Sequence, residues 1–336
     1  MIRAYVELSG ESLPLAAAEA VAAAEALGGH AVASRDAPFE GLVAVDLPGP
    51  EGPGEWAARL ALARRCLAHR AAGATLAAVS GELGASRASA AFRRLGRPSA
   101  ADDPLVPALG RAFKEGGGTI DLERPQRRFW IHGDRDGVPH LFEELSLVDR
   151  ASIGSRRMPL LPFQRPVSLP PRLARAAANL TRAVPGDAVL DPFLGTGALL
   201  AEAALLGART FGIDRDPTMV RGALRNFEHL GVGPEELLVG DAADVEFQDP
   251  ALPFAAILTD PPYGRSSSTG GEDADALIQR VLPRWGERVR PGGRLVIVVP
   301  VGARALPPPW SLTLAVPVRV HRSLTREFRL YERGER

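Results

Sequence analysis

The sequence predicts an α/β protein in which two small α+β units precede a larger C-terminal domain built on a parallel sheet. Three observations predict this class. The chain has 336 residues, which is too long for one compact core, a proline-rich stretch lies near its middle, and apolar runs alternate strictly with helical patterns beyond that stretch. We therefore expect units at 1–72 and 73–150, a linker at 151–170 and the main domain at 171–336.

The first unit begins with apolar runs that are separated by glycine and proline. Strands are predicted for IRAYVEL, HAVAS and GLVAVDL. An alanine-rich helix is predicted from Leu15 to Leu27, and a second helix from Trp56 to Ala72. This order of elements predicts a small α+β unit.

The second unit combines strand patterns with one helical pattern and an excess of basic residues. Strands or strand ends are predicted for SAAFRRLGR, TIDLE and RFWIHGDRDG, and a helix is predicted from Leu105 to Glu115. Between Ser86 and Arg135 ten basic residues stand against six acidic ones, although the whole chain has a net charge of zero. Local charge of this kind can hold a polyanion even in a neutral protein.

The stretch MPLLPFQRPVSLPP contains five prolines in fourteen residues, which is typical of an extended linker. Seven arginines and no acid occur between Arg150 and Arg182. Two interpretations stay open: a solvated linker whose arginines pair with acids elsewhere, or a surface for nucleic-acid phosphates. Under the second, we expect Arg156, Arg157 and Arg165 to contact the RNA backbone.

Beyond the linker, strand and helix patterns alternate as in a parallel sheet covered on both faces. The predicted strands are AVLDPF, RTFGIDRD, ELLVGDAADV, FAAILTDPPY and RLVIVVP. The helices between them are GALLAEAALLG, PTMVRGALRNFEHLG and DADALIQRVLPRWGERV. Two final strands, LTLAVPVRV and LTREFRLYE, are joined by a short turn.

Composition excludes several classes of protein. No apolar run reaches the roughly 20 residues of a membrane span, and the N-terminus lacks a signal-peptide pattern, so we expect a cytoplasmic protein. Cys66 is the single cysteine, which excludes a disulfide framework, and the six histidines lack ligand spacing. We expect no bound metal.

Four acids stand at or just beyond the ends of predicted strands: Asp191, Asp214, Asp241 and Asp260. In doubly wound α/β sheets, ligands bind at the carboxyl ends of the strands, near the point where strand order reverses. This repetition therefore predicts a ligand site formed by all four strand ends.

The first three acids have the spacing of a nucleotide site. Asp191 opens DPFLGTG, whose glycines allow a tight turn between strand and helix. Asp214 follows 23 residues later, where such folds place an acid on two ribose hydroxyls. Asp241 could accept a hydrogen bond from an adenine amine. A nicotinamide enzyme would show GxGxxG, whereas this loop reads GTGALL, so S-adenosylmethionine is the favoured ligand.

The fourth acid opens the turn Asp260-Pro261-Pro262-Tyr263. An exocyclic amine on a nucleobase is a poor nucleophile because its lone pair is delocalised into the ring. The Asp260 carboxylate and the Pro261 carbonyl, held by two rings that fix φ, would accept the hydrogens of such an amine. Tyr263 offers a face for base stacking. This turn predicts methyl transfer to a base amine.

Together, DPFLGTG, GIDRD, GDAAD and TDPPYGR resemble the amino-methylating class of adenosylmethionine-dependent methyltransferases. With FQRPVSLPPRLARAAANL ahead of them, the chain resembles the archaeal and eukaryotic tRNA guanine-N2 methyltransferases that modify guanosine 10. The resemblance implies a Rossmann-like class I domain with an antiparallel last strand, an RNA-binding THUMP domain at 73–150 and a ferredoxin-like unit at 1–72.

The resemblance also implies site residues. S-adenosylmethionine would bind at Asp191, Phe193, Gly195, Thr196, Gly197, Asp214, Asp241 and Ala242. The target guanine would bind at Asp260, Pro261, Pro262 and Tyr263. Two roles stay open, because Phe193 could instead belong to the core and Arg265 could contact phosphate or pair with an acid.

The substrate that follows from the resemblance is tRNA, methylated once or twice on one guanine nitrogen. Three alternatives remain: a ribosomal RNA guanine-N2 methyltransferase, a DNA adenine-N6 or cytosine-N4 methyltransferase, and a catalytically silent RNA-binding module. We expect a monomer with no membrane partner. Some relatives use a small zinc-binding activator subunit, which the sequence neither requires nor excludes.

Overall fold

The computed structural model describes residues 1–9, 12–33, 36–95, 104–157, 160–165, 168–262, 273–321 and 324–334. Its compact units do not follow the chain in sequence. The first unit comprises Met1–Gly10, Leu27–Ala58 and Ala63–Val148, and the second comprises Glu11–Ala26, Arg59–Leu62 and Asp149–Arg336. Two short segments of the N-terminal half therefore belong to the second unit, together with everything from Asp149 onward.

The helices and strands of the described residues are numbered in chain order. The helices are α1 Leu13–Ala26, α2 Gly52–Arg59, α3 Leu76–Gly84, α4 Leu105–Glu115, α5 Arg150–Ser155, α6 Pro171–Leu180, α7 Ala198–Ala204, α8 Pro217–His229 and α9 Ala274–Gly286. The strands are β1 Ile2–Leu8, β2 His30–Ala31, β3 Leu42–Leu47, β4 Ala63–Ala72, β5 Ser89–Arg94, β6 Thr119–Ile120, β7 Arg127–Gly133, β8 Pro139–Leu147, β9 Ala188–Asp191, β10 Arg209–Asp214, β11 Glu236–Val239, β12 Phe254–Thr259, β13 Val289–Pro300, β14 Trp310–His321 and β15 Leu324–Arg333. None of these helices is long and apolar enough to cross a membrane.

In the first unit, the described strands form one sheet in the order β2-β3-β1-β4-β8-β7-β5-β6. β4 lies at its middle and pairs antiparallel with both β1 and β8. The expected boundary between residues 72 and 73 therefore falls at the end of the strand that joins the two halves of the sheet. Helices α3 and α4 cover part of it, over an apolar cluster that includes Phe92, Phe113 and Phe129.

The helix predicted from Trp56 to Ala72 is wrong over most of its length. Helix α2 ends at Arg59, and the segment ARRCLAHRAA forms the ten-residue strand β4. Alanine and arginine have a high intrinsic helix propensity, which a central position between two paired strands overrides. Cys66 and Leu67 are fully buried in this strand.

In the second unit, the described strands form a mixed sheet in the order β11-β10-β9-β12-β13-β15-β14. Strands β9 to β13 run parallel, and β15 runs antiparallel to both β13 and β14. The predicted parallel sheet with an antiparallel last strand is confirmed. Because strand order reverses between β9 and β12, the switch point lies at the carboxyl ends of these two strands.

Helix α1 belongs to the second unit, not to the α+β unit in which it was expected. Its Glu19 is fully buried and accepts hydrogen bonds from the backbone amides of Ala61 and Leu62, both at 2.8 Å. It also accepts one from Asn179 of α6 at 2.9 Å. Each carboxylate oxygen thus satisfies a buried donor, which fastens α1 and residues 59–62 to α6.

The predicted linker at 151–170 begins with α5 and then lies against the second unit at its described positions. Asn226 of α8 accepts a hydrogen bond from the Phe163 amide and donates one to the Phe163 carbonyl, both at 3.0 Å. The same side-chain amide donates to the Thr196 carbonyl. One buried asparagine therefore ties the proline-rich segment to the glycine loop after β9.

Candidate active site

The four acids predicted from the sequence lie where β9, β10, β11 and β12 end. β9 ends at Asp191 and β10 at Asp214, and the first residues after β11 and β12 lead to Asp241 and Asp260. Parallel strands place these ends along one edge of the sheet. Asp191 and Asp260 therefore lie at the two strands of the switch point, and Asp214 and Asp241 follow along the same edge of the sheet.

Asp191 is the most buried of the four, with 2% of its surface exposed. Its Oδ1 accepts hydrogen bonds from the Thr259 hydroxyl at 2.5 Å and the Phe193 amide at 3.0 Å. Burial, and after it the negative charges of Asp260 and Asp214, raise the pKa of this carboxyl to about 7. A cation beside Asp191 would relieve both the burial and the repulsion.

The loop after β9 turns by means of two glycines in the left-handed region, with φ of 53° at Gly195 and 76° at Gly197. The Gly195 amide donates to the Asp214 carboxylate at 2.8 Å. A Cβ on Gly197 would lie 2.9 Å from the ring of Phe227, so this glycine also allows α7 and α8 to pack closely. Thr196 is nearly buried, and its hydroxyl lies 3.0 Å from the Ser168 hydroxyl.

Asp214 accepts hydrogen bonds from two backbone amides, those of Gly195 and Asp216. Burial raises its pKa, in spite of these bonds. One carboxylate thus connects the glycine loop with the turn that begins α8. The position fits the predicted ribose contact, because a carboxylate can accept about four hydrogen bonds.

Asp241 differs from the prediction in its partners. Arg280 of α9 binds both of its carboxylate oxygens, at 3.1 and 3.2 Å, and Arg215 lies at 3.4 Å. The hydrogen bond from Arg280 is the main cause of its lowered pKa. The neighbouring Ala242 is buried, and its carbonyl accepts a hydrogen bond from Trp285 at 2.8 Å. An adenine amine would therefore share Asp241 with Arg280.

The turn after β12 begins with Asp260, whose Oδ2 accepts a hydrogen bond from Arg326 Nη1 at 2.6 Å. Pro261 is buried and Pro262 is half-buried, so the acid stands on a rigid, enclosed support. Tyr263 and Arg265, which the sequence also singles out, lie outside the described residues. The guanidinium partner of Asp260 was not predicted from the sequence.

One feature of the sequence could have indicated that Arg326 pairs with an acid. It lies in LTREFRLYE, an apolar strand that carries two arginines, and a buried arginine requires an acid nearby. Which acid it meets depends on how β15 is placed in the sheet. The pairing could therefore not be derived from local sequence patterns.

The three arginines predicted to contact RNA have different surroundings. Arg156 forms two hydrogen bonds with Glu202 of α7, at 2.7 and 3.0 Å, and only 11% of its side chain is exposed. This pair takes the place of the phosphate contact predicted for Arg156. Arg157 is exposed, and the Arg165 guanidinium lies 4.7 Å from the centre of the Phe163 ring. The RNA contacts of Arg157 and Arg165 therefore stay predictions.

The comparisons with known proteins match this chain to methyltransferases. Residues 160–305 match the family model described as UPF0020, RMKL-like, methyltransferase domain. A tRNA (guanine(10)-N2)-dimethyltransferase of Methanothermobacter thermautotrophicus is 36% identical over 235 residues, which cover 68% of each chain. The enzyme of that name from Pyrococcus abyssi is 43% identical over 175 residues, which cover 51% of this chain and 52% of that protein.

Solved structures also match the chain over almost its whole length. The crystal structure of TrmN from Thermus thermophilus has a TM-score of 0.51 and 22% identity, and the match covers 98% of this chain and 99% of that one. At this level of identity the likeness concerns the fold. It extends through both compact units.

Proposed function

Because the chain belongs to the tRNA (guanine-N2) methyltransferase family, we propose that it transfers methyl groups from S-adenosylmethionine to the N2 amine of a guanosine in tRNA, at position 10. The observation that carries this proposal is the Asp260-Pro261-Pro262 turn at the switch point of the sheet. Its carboxylate lies close enough to Asp191 to raise the pKa of that group.

The residues present fit S-adenosylmethionine. Asp191, Asp214 and Asp260 gather negative charge in a partly buried site, and this cofactor carries a positive sulfonium and an ammonium group. Asp191 would hold the ammonium group, and Asp214 would accept the two ribose hydroxyls. Ala242 and Asp241 would bind the adenine. Phe193, partly buried and packed on the apolar core, would form a wall of the site through its ring.

When bound, the cofactor supplies an electrophilic methyl group whose transfer to nitrogen leaves a neutral thioether. Asp260 and the Pro261 carbonyl would accept the two hydrogens of the guanine amine, which turns the nitrogen lone pair away from the base plane. The proton released on methylation then passes to the Asp260 carboxylate or to water. These acceptors are fixed before the substrate arrives, so little reorganisation is required during the reaction.

The target guanine must leave its stack to reach Asp260, as in other enzymes that act on a base. We assign Tyr263 as the stacking partner of the extruded base from its place in the sequence motif. Residues 1–150, with a ferredoxin-like part at 1–72 and a THUMP-like part at 73–150, would bind the tRNA by backbone and shape. Arg157 and Arg165 would add phosphate contacts in the second unit.

The test is to incubate the protein with unmodified tRNA transcripts and labelled S-adenosylmethionine, and to identify the methylated nucleoside and its position. We expect N2-methylguanosine or its dimethyl form at position 10, and no product when that guanosine is replaced. The Asp260→Ala variant should give no product while it still binds the cofactor. Methylation of ribosomal RNA or DNA in place of tRNA would contradict the proposed substrate.

A further inference from the structure

The guanidinium of Arg326 is enclosed in the second unit, with 4% of its side chain exposed. Its hydrogen bond to Asp260, 2.6 Å long, connects β15 to the turn after β12. A buried cation is stable only beside an anion that compensates for its lost hydration. The two side chains therefore depend on each other, and Asp260 is the acid that the proposed reaction uses.

The pair spans an entire strand. β12 pairs with β13, and β13 pairs with β15, in which Arg326 stands opposite Pro300, the last residue of β13. Neighbouring strands lie about 4.8 Å apart, so β12 and β15 are separated by roughly 10 Å. Arginine has the longest cationic side chain and can cover most of that distance. Because Arg326 lies at the carboxyl edge of the sheet, its side chain can extend towards the site.

The contact constrains the orientation of the carboxylate. An aspartate on a turn can rotate about two side-chain bonds, and a charge-assisted hydrogen bond to a buried guanidinium selects one arrangement. A carboxylate offers about four acceptor positions, so the bond to Arg326 on Oδ2 is compatible with acceptance of amine hydrogens. The guanidinium also favours the ionised form, which is the form that accepts hydrogen bonds.

We propose that Arg326 is a positioning residue for methyl transfer, which orients the Asp260 carboxylate towards the substrate amine. This inference rests on the proposed function. It separates Arg326 from the residues that hold the cofactor, since its partner is the acid assigned to the base. Loss of Arg326 should therefore lower kcat and leave cofactor binding nearly intact.

The test compares Arg326→Met, Arg326→Gln and Arg326→Lys with the unchanged protein, by kcat and KM for tRNA, cofactor affinity by calorimetry, thermal unfolding and the pH dependence of kcat. Met keeps the length of the apolar stem, so it provides a folded variant if Gln does not fold. The matched control is Arg329→Met. Arg329 is also a buried arginine of β15, but it pairs with Glu327 and the Arg304 carbonyl.

We expect Arg326→Met and Arg326→Gln to lower kcat about 100-fold, the scale of a displaced catalytic group, with cofactor affinity within about threefold of the unchanged protein. The acidic limb of the pH profile should move to higher pH, because a carboxylate without its cation takes up a proton more readily. Arg326→Lys, which keeps the charge, should restore part of both. The control should change neither.

Three results would overturn the inference. The first is a folded Arg326→Met protein with kcat within twofold of the unchanged protein and an unshifted pH profile. The second is an equal loss of kcat in Arg326→Met and Arg329→Met, which would show that stability alone is affected. The third is an unchanged protein that methylates no nucleic acid, a result that removes the proposed function and this inference with it.

Discussion

The hydroxyl of Thr259 donates a hydrogen bond to the carboxylate of Asp191 across 2.5 Å, and both side chains are almost fully buried. The bond connects the last residues of β9 and β12, the two strands between which the sheet order reverses. It therefore orients the acid proposed for the cofactor by means of the residue just before the acid proposed for the base.

Replacement of Thr259 by Val should weaken cofactor binding about tenfold. The side chain keeps its shape, but Asp191 loses a donor that stabilises its charged form, so the carboxylate becomes a poorer partner for an ammonium group. Calorimetric titration with S-adenosylmethionine measures this. Thr210→Val is the matched control, since Thr210 is also buried in a strand of this sheet and its hydroxyl has no hydrogen-bond partner among the described residues. Equal affinities for the two variants would contradict the prediction.

Asp191 should make the unliganded protein less stable as pH rises. Its pKa is raised to about 7 in the folded state from an ordinary value of 3.8. The folded state therefore binds more protons between these values, and the free energy of unfolding falls as pH rises from about 4 to 7, by roughly 4 kcal/mol. Above pH 7 this contribution is constant.

The Asp191→Asn variant isolates this effect. The amide oxygen can still accept the hydrogen bonds from Thr259 and Phe193, because both reach Oδ1. Denaturant titrations at pH 4 and pH 8 should show that the variant is more stable than the unchanged protein at pH 8 and close to it at pH 4. The idea fails if the two proteins lose stability in parallel.

Glu19 should be far more important for stability than Glu25, although both lie on α1. Glu19→Ala leaves the amides of Ala61 and Leu62 and the side chain of Asn179 without this acceptor. Removal of a buried charge offsets part of that loss, so the free energy of unfolding should fall by about 2 to 4 kcal/mol. Glu25 pairs with Arg182 at a partly exposed position, so Glu25→Ala should cost less than about 1 kcal/mol. Urea unfolding at pH 8 compares them, and similar losses would show that the buried network contributes little.

Arg157 and Arg165 should contribute to RNA affinity without regard to base sequence. Each Ala variant should weaken tRNA binding and reduce the slope of log affinity against log salt by about one. Filter binding at several salt concentrations measures both quantities. Arg209→Ala is the control, because Arg209 begins β10 at the opposite edge of the sheet and pairs with Glu235. If the salt slope stays unchanged in both variants, these two residues do not contact the RNA phosphates.

The part of the site that could be predicted from sequence is the part encoded locally. Asp191, Asp214 and Asp260 follow apolar strands directly, so their place at one edge of the sheet follows from strand alternation. The pairing of Asp260 with Arg326 depends on sheet order, because the two residues are 66 positions apart in sequence and two strands lie between them. No local pattern indicates that partner.

The same distinction, between features encoded locally and features that depend on distant residues, explains where the predicted fold was wrong. The alternation of the C-terminal domain is a strong periodic signal, and the strands and helices predicted from it lie where they were expected, whereas helix α6 was not predicted. The segment that forms β4 has a helical composition, and only its pairing with β1 and β8 makes it a strand. Helix α1 was recognised as a helix, whereas its packing on α6 depends on Glu19 and Asn179, which lie far apart in sequence.

Because α1 packs on α6, the order of synthesis and the order of assembly of this protein differ. About 145 residues separate Ala26 from Pro171, so at 5 to 20 residues per second the ribosome requires roughly 7 to 30 s to supply the partner of α1. During that time Leu15 and the alanines around it are exposed on the nascent chain. We expect chaperones to bind the nascent chain at this apolar face. A chain truncated after residue 148 would lack α6, so the face would stay uncovered.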